Sequence, residues 1–216
     1  MKLHNFFRSS ASYRVRIALN LKGLAYEYRA VHLRRGGGEQ FGAAFLALNP
    51  QALVPVLEDG AHVLTQSLSI LEYLEETHPE PALLPKAPVE RARVRAIALA
   101  IACDVHPLNN LRVLEFLGKL GVGQEARTEW YQHWVDTGLR ALETELLQSP
   151  STSGRFCHGD APSIADCCLV PQLFNARRFG CDLSGYSKLL AIEANCNALP
   201  AFRDAAPDAQ ADAESP

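Results

Sequence analysis

What this 216-residue chain lacks bounds what it does. No apolar run reaches the ~18–20 residues that a membrane-crossing helix needs. Met1-Lys2 leads into a short apolar stretch without the core of a signal peptide. Both absences predict a cytoplasmic protein with no membrane partner. Neither sign of charge dominates: the formal net charge of -3 comes from 21 basic and 24 acidic residues, with no long block of either. Nucleic acid and membrane surfaces therefore have no electrostatic foothold. The six cysteines (Cys103, Cys157, Cys167, Cys168, Cys181, Cys196) form no C-x-x-C pair and have no histidine at zinc spacing, so no metal site is expected. They read as small buried hydrophobes, with a redox role for the neighbours Cys167 and Cys168 as the weaker alternative. Gly36-Gly37-Gly38 is not followed by Gly-Lys-Ser/Thr, which excludes a P-loop. Nor is there a Ser/His/Asp order or a paired-carboxylate motif.

What is present divides the chain in two. A chain of this length buries about 70 % of its unfolded surface. Residues 1–80 alternate strand and helix signals, as an α/β sheet domain does. Strands are expected at Leu3 to Phe7, Tyr26 to Leu33, Val54 to Leu57 and His62 to Leu64, the last two joined by the Asp59-Gly60 turn. Arg34-Arg35-Gly36-Gly37-Gly38 predicts a mobile loop. Short helices are expected over Gln40 to Leu48 and Ser67 to Glu76. Four prolines between Pro79 and Pro88 mark a linker. Beyond it, residues 88–203 carry helical periodicity almost throughout, over Val89 to Phe116, Gln124 to Leu147, Ser163 to Phe179 and Leu189 to Leu199. Ser163-Ile164-Ala165-Asp166 fits a capping box, a structural device. Residues 204–216, rich in Ala and Asp, read as a disordered tail.

Phe7-Arg8-Ser9-Ser10-Ala11-Ser12-Tyr13-Arg14-Val15-Arg16-Ile17-Ala18-Leu19 is the most informative stretch. A strand runs into small hydroxyl residues, and a helix opens with Val15, Ala18 and Leu19 on its apolar face. Serines there cap a first turn whose N–H groups lack partners, and the positive end of the helix dipole, beside arginines, stabilises an anion such as a thiolate. Gln66-Ser67 enters a second helix, with Ser67 as its natural cap. Val54-Pro55 reads as an edge strand, because Pro lacks a ladder donor. His106-Pro107-Leu108-Asn109-Asn110-Leu111-Arg112 places polar groups at a helix kink, which points to a cleft lining. Arg177-Arg178 near a helix end complements its dipole.

The run Ser9-Ser10-Ala11-Ser12-Tyr13-Arg14-Val15-Arg16-Ile17-Ala18-Leu19 resembles the signature of the zeta class of glutathione transferases, with Ala11 where the family often has Cys. The likeness continues through Ala47-Leu48-Asn49-Pro50, Leu53-Val54-Pro55-Val56-Leu57, Gln66 to Leu74, His106 to Leu111 and Ala165 to Gln172, so it spans nearly the whole chain in order. It implies an α/β thioredoxin-like domain followed by an all-α domain, usually in a homodimer. It also implies a glutathione-dependent cis–trans isomerase that converts maleylacetoacetate to fumarylacetoacetate in tyrosine and phenylalanine catabolism, by reversible addition of the thiolate to the double bond. Maleylpyruvate, one cis diacid for another, is the alternative substrate; a general conjugating transferase and a non-catalytic glutathione-binding module are further alternatives.

The same resemblance assigns roles. Ser9 holds the thiolate, with Ser10 and Arg8 as catalytic partners and the Ala11 N–H assisting. A cis peptide at Pro55 frees the Val54 backbone for the cysteinyl part of glutathione. Gln66 and Ser67 receive the γ-glutamyl end and Gln40 the glycyl end, while His106, Asn110 and Arg112 also line the cofactor. The substrate diacid meets Arg8, Asn109 and Arg178, the last favoured over Arg177, because guanidinium forks bind carboxylates bidentately.

Overall fold

The computed structural model describes residues 1–149 and 153–214. The chain resolves into two compact units. One joins Met1–Leu83 to the segment from Asn197 onward, and the other is Leu84–Cys196. The division between Leu83 and Leu84 falls inside the proline-rich linker.

The first unit is built on a four-stranded mixed sheet in the order β2-β1-β3-β4, formed by β1 (Lys2–Asn5), β2 (Glu27–Ala30), β3 (Val56–Asp59) and β4 (His62–Thr65). β1 and β2 pair in parallel, which requires a crossover, and α1 (Ser10–Leu21) supplies it. β1–β3 and β3–β4 are antiparallel, with Asp59 opposite His62 across the turn at Gly60, whose φ of 57° suits glycine. Both first strands are shorter than the sequence suggests. Phe6 and Phe7 leave the ladder to pack edge to face, 4.7 Å apart, as the chain turns toward α1. The Gly36–Gly38 loop is set in tight 3-10 turns (Arg35–Gly37 and Glu39–Phe41) with positive φ at all three glycines, ahead of α2 (Ala43–Leu48). α3 (Ser67–Thr77) packs against α1.

The tail corrects the sequence reading. Instead of dissolving at Asp204, the chain follows α9 (Pro200–Arg203), which packs on α1, with a buried Ala205, a buried Pro207 and a 3-10 turn at Pro207–Ala209. Asp212 accepts the Phe7 N–H at 3.4 Å and the Tyr28 hydroxyl. Low apolar content did not leave this segment loose, because it closes hydrogen bonds that unit one offers. The foremost is from Arg16. This arginine, 0 % exposed, donates to the carbonyls of Ala205 (2.9 Å), Phe7 (2.8 Å) and Phe6 (3.4 Å) and to Asn5 Oδ1 (2.8 Å). Burial pulls its guanidinium below the usual arginine range.

The second unit is helical: α4 (Pro88–Leu99), α5 (Leu111–Lys119), α6 (Gln124–Gln148), α7 (Ile164–Arg178) and α8 (Ser187–Asn197). The single helix expected over Val89 to Phe116 is divided. After Leu99 the backbone widens into a π-helical stretch (Ala100–Val105), where the His106 N–H donates to Ile101 five residues back, and a 3-10 turn (Pro107–Asn109) follows. Pro107 has no N–H to continue the α-ladder. α6 passes so close to this stretch that a Cβ on Gly138 would lie 2.2 Å from Val105 Cγ2, which restricts the position to glycine. At the start of α7, Asp166 accepts Ser163 N–H (2.8 Å), Ser163 O–H (2.7 Å) and Cys157 N–H (2.9 Å), which satisfies a fully buried carboxylate whose pKa burial pushes up. Cys157, Cys167, Cys168 and Cys196 are buried and outside any disulfide, as expected of small hydrophobes; Cys103 is exposed and Cys181 half-buried, against expectation.

Replacing Arg16 with Met keeps the volume and strands three buried acceptors, because the Phe6 carbonyl keeps the Ser9 N–H at 3.0 Å. Unsatisfied buried acceptors cost ~1–3 kcal/mol each before relaxation, so Arg16→Met is expected to lose at least about 3 kcal/mol in urea unfolding. Exposed Arg29→Met should stay within about 0.5 kcal/mol. Equal midpoints for the two variants would remove Arg16 from this role.

Candidate active site

In unit one, two helix starts are brought together. α1 is capped by Ser9, whose Oγ accepts the Ser12 N–H at 3.2 Å while its backbone stays extended (φ -70°, ψ 120°). A hydroxyl has two acceptor lone pairs and one donor hydrogen, so capping leaves the Ser9 O–H available to a ligand. Ser10, expected as a cap, is instead the first helical residue and is buried; Ala11 follows it with its N–H in the unpaired first turn. α3 shows the same one-residue displacement. Its N-cap is Gln66, at φ 67°, with no side-chain capping bond, and Ser67 is the first helical residue. Arg14 from α1 donates to Ser67 Oγ at 3.2 Å, joining the two helices where α3 begins. A positive φ at a non-glycine residue is uncommon, and here it stands at a helix start that has no side-chain cap.

The other expected residues of this unit have settings of their own. The Val54-Pro55 peptide is cis, and the paired register of β3 begins at Val56, so the Val54 N–H and C=O take no part in the ladder. Pro55 thus does not sit in an edge strand. Asn49 Nδ2 holds the loop through the Leu53 carbonyl at 2.8 Å. Gln40 is 6 % exposed; its Nε2 donates to the Leu33 carbonyl at 3.2 Å, and its Oε1 has no hydrogen-bond partner among the described residues. Gln66 Nε2 donates to Gln51 Oε1 at 2.9 Å on the exposed side. Arg8 stacks over Phe7, 4.8 Å from its ring centroid, and stands 3.8 Å from Glu214.

In the helical unit, His106 Nε2 and Asn110 Nδ2 lie 3.3 Å apart. Asn110 caps α5 by accepting the Arg112 N–H at 3.2 Å, and the Arg112 side chain is exposed. Asn109 is 8 % exposed and donates to the Tyr131 carbonyl in α6 at 3.3 Å. Its Oδ1 is buried without a hydrogen-bond partner among the described residues. At the end of α7 the two arginines part. Arg177 donates from both terminal guanidinium nitrogens to Glu193, which is 6 % exposed, whereas Arg178 lies over the Phe179 ring with its Nη1 3.4 Å from Asn175 Oδ1. Arg177 is spent on a structural fork; the sequence reading favoured Arg178. The residues that sequence reasoning missed are His32 and Arg35, which share Glu214 with Arg8. His32 lies in the expected strand and Arg35 in the expected loop, and the signal that would have exposed them, an acidic residue returning from the tail, has no sequence proximity.

The family model for the glutathione S-transferase N-terminal domain matches residues 3–82, and that for the C-terminal domain matches residues 124–195. The chain belongs to the glutathione S-transferase family. Within that family it sides with the zeta class. It is 54 % identical to a probable maleylacetoacetate isomerase of Vibrio cholerae over 98 % of this chain and 97 % of that one. It superposes with a TM-score of 0.96 on the holo structure of a bacterial zeta-class maleylpyruvate isomerase, at 51 % identity over 99 % of this chain and 100 % of that one. With a maleylacetoacetate isomerase from Methylobacterium extorquens, solved with malonate and glutathione bound, the TM-score is 0.94 at 44 % identity, covering 100 % of both chains.

The two arginines are separable by stability alone. Arg177→Ala strands the Glu193 carboxylate and is expected to cost about 1–2 kcal/mol, discounted because Arg177 itself is half exposed. Arg178→Ala should cost less than half of that. Thermal or urea unfolding of the two variants decides it.

Proposed function

We propose that this protein is a glutathione-dependent cis–trans isomerase acting on maleylacetoacetate, in the catabolism of tyrosine and phenylalanine, with maleylpyruvate as the alternative substrate. The observation that carries the reading is the pair of joined helix starts in unit one, with the Ser9 O–H and the Val54 backbone available beside them. This arrangement suits a ligand that offers a thiolate and a carboxylate together, as glutathione does. The fit extends to Gln40, whose buried and unpartnered Oε1 awaits a donor. The relative with malonate and glutathione bound supports both the cofactor and the class of substrate.

When bound, glutathione supplies a thiolate that adds reversibly to the cis double bond, so that the bond turns while single and the cofactor is regenerated. This chain's residues make that thiolate available near neutral pH, although a free thiol has a pKa of ~8.5. Ser9 donates its O–H to the sulfur, and the first turn of α1, including the Ala11 N–H, adds the helix dipole. A hydrogen bond to a charged group contributes ~1.5–3 kcal/mol and the dipole ~0.3–1. At ~1.36 kcal/mol per unit, together they lower a pKa by roughly one to two units before desolvation. With Ala at position 11 there is no protein thiol there to share the task. Val54 orients the cysteinyl backbone, Gln66 and the first turn of α3 from Ser67 receive the γ-glutamyl carboxylate, and Gln40 meets the glycyl end. His106, Asn110 and Arg112 are assigned to the cofactor, and Ser10 supports Ser9 from the first turn. Arg8 and Arg178 are the carboxylate-binding residues for the diacid. The arginines also favour this reading over a general conjugating transferase, which would offer apolar electrophiles an apolar pocket. A cytoplasmic homodimer is the proposed state; among the described residues no helix is long and apolar enough to cross a membrane.

The direct experiment follows ultraviolet absorbance of each cis diacid with purified protein, with and without glutathione. Turnover that requires glutathione without consuming it is expected, and no turnover of either diacid overturns the reading. Ser9→Ala is expected to lower kcat at least tenfold while glutathione affinity changes less than about threefold, since the bond serves chemistry more than binding. Arg178→Ala should cost ~2–5 kcal/mol in kcat/KM on the diacid and little on a neutral electrophile such as a chlorodinitrobenzene. Equal losses on both substrates would remove Arg178 from substrate recognition.

A further inference from the structure

Three basic side chains of unit one converge on a single carboxylate that arrives from the far end of the sequence. Glu214 Oε1 lies 2.9 Å from Arg35 Nη2 and 3.1 Å from His32 Nε2, and its Oε2 lies 3.8 Å from Arg8 Nη2. Exposed ion pairs by themselves are commonplace. His32 sets this one apart. It is 9 % exposed and packs edge to face on Phe6 at 5.0 Å. Its Nδ1 accepts two backbone N–H groups, from Arg34 at 3.2 Å and Arg35 at 2.7 Å. The ring proton is therefore held on Nε2, on the side of the carboxylate. In this structure Nε2 stands within charge-attraction distance of Glu214 but off the line of a formed hydrogen bond, so a donor prepared for an anion is not fully used.

The occupant is lightly held. Around Glu214 the tail offers only small residues, with Ala211 and Ala213 exposed, and the nearest buried anchor is Pro207. Asp212, which takes the Tyr28 hydroxyl and the Phe7 N–H, and Ala213, whose N–H donates to the Gln210 carbonyl at 3.0 Å, are the last fixed points before it. Arg8, meanwhile, directly precedes Ser9.

We infer that Arg8, His32 and Arg35 form a carboxylate-binding subsite, and that Glu214 fills it as an internal competitor of the dicarboxylate. This rests on the reading of the protein as acting on a dicarboxylate, and it adds two residues and a regulatory strap to that reading. A ligand carboxylate enters by displacing Glu214 and gains the Nε2–H donor that the tail leaves slack. Its apparent affinity is reduced by the fraction of molecules in which the tail is docked.

The test is calorimetric titration of malonate into the glutathione-free protein, comparing wild type with Glu214→Gln, which keeps the shape and removes the charge. Malonate is expected to bind about three- to tenfold more tightly to the variant, and in the Glu214→Gln background Arg35→Ala should reverse that gain. Equal affinity for malonate in wild type and variant, weaker binding by the variant, or no binding by either overturns the inference. A parallel titration with glutathione separates the two sources of carboxylate: tightening for glutathione alone overturns the assignment to the diacid. Because no arm requires turnover, the subsite and the isomerase reading fail separately. Tighter malonate binding in a protein that isomerises neither diacid keeps the subsite and removes the reaction. Isomerisation with unchanged malonate binding does the reverse.

Discussion

The unit that carries the proposed cofactor site hangs on one buried guanidinium. Arg16 is withdrawn from water, and its hydrogen bonds run to neutral acceptors: three carbonyls and an asparagine oxygen. A charge in such a place is tolerated because its donors are matched and it lies over the Tyr13 ring, 5.4 Å from the centroid. The acceptors are not scattered. Asn5 ends β1 and Phe6 and Phe7 lead from it toward α1, so the same group that satisfies the arginine fixes the backbone from which Arg8 and Ser9 project. Arg14, two residues earlier, ties α1 to the start of α3 through Ser67. The pair Arg14-x-Arg16 is thus structural on both counts, and the positive charges that look catalytic in the sequence are largely inside the fold.

That distinction explains how much was readable beforehand. The sheet, the linker and the helical second half follow from periodicity and from the clustering of prolines, which are local signals. The one-residue displacement of both helix caps was not readable. Ser9 and Ser10 have the same capping chemistry, and Gln66 caps α3 only because its backbone takes a positive φ that no propensity announces. At Val54-Pro55, edge-strand reasoning about proline gave the wrong local structure, whereas the resemblance implied the cis peptide that the fold contains. The tail was misjudged because composition measures what a segment buries on its own, whereas Ala205 and Asp212 are held by groups at the other end of the chain.

The electrostatic design of unit one is economical in its use of full charges. Helix starts supply partial positive charge at fixed geometry, which costs nothing in side-chain ordering when a ligand arrives. Arginines with rotatable side chains stand where a substrate must be admitted and released. In the helical unit the same residue type divides its labour: Arg177 is locked to Glu193 and adjacent Arg178 is not. One helical step separates a structural fork from a candidate ligand fork, because it turns the side chain ~100° around the axis.

The division of the first unit between the two ends of the sequence has a consequence for synthesis. Residues up to Leu83 leave the ribosome first, yet the Ala205 carbonyl, α9 and the carboxylates of Asp212 and Glu214 follow only after the whole helical unit has been made. During that interval the nascent α/β segment carries an arginine deprived of one acceptor and a bare patch on α1. The helical unit, continuous in sequence, closes its own contacts as it emerges. The first unit to begin leaving the ribosome is therefore the last to have all of its partners present.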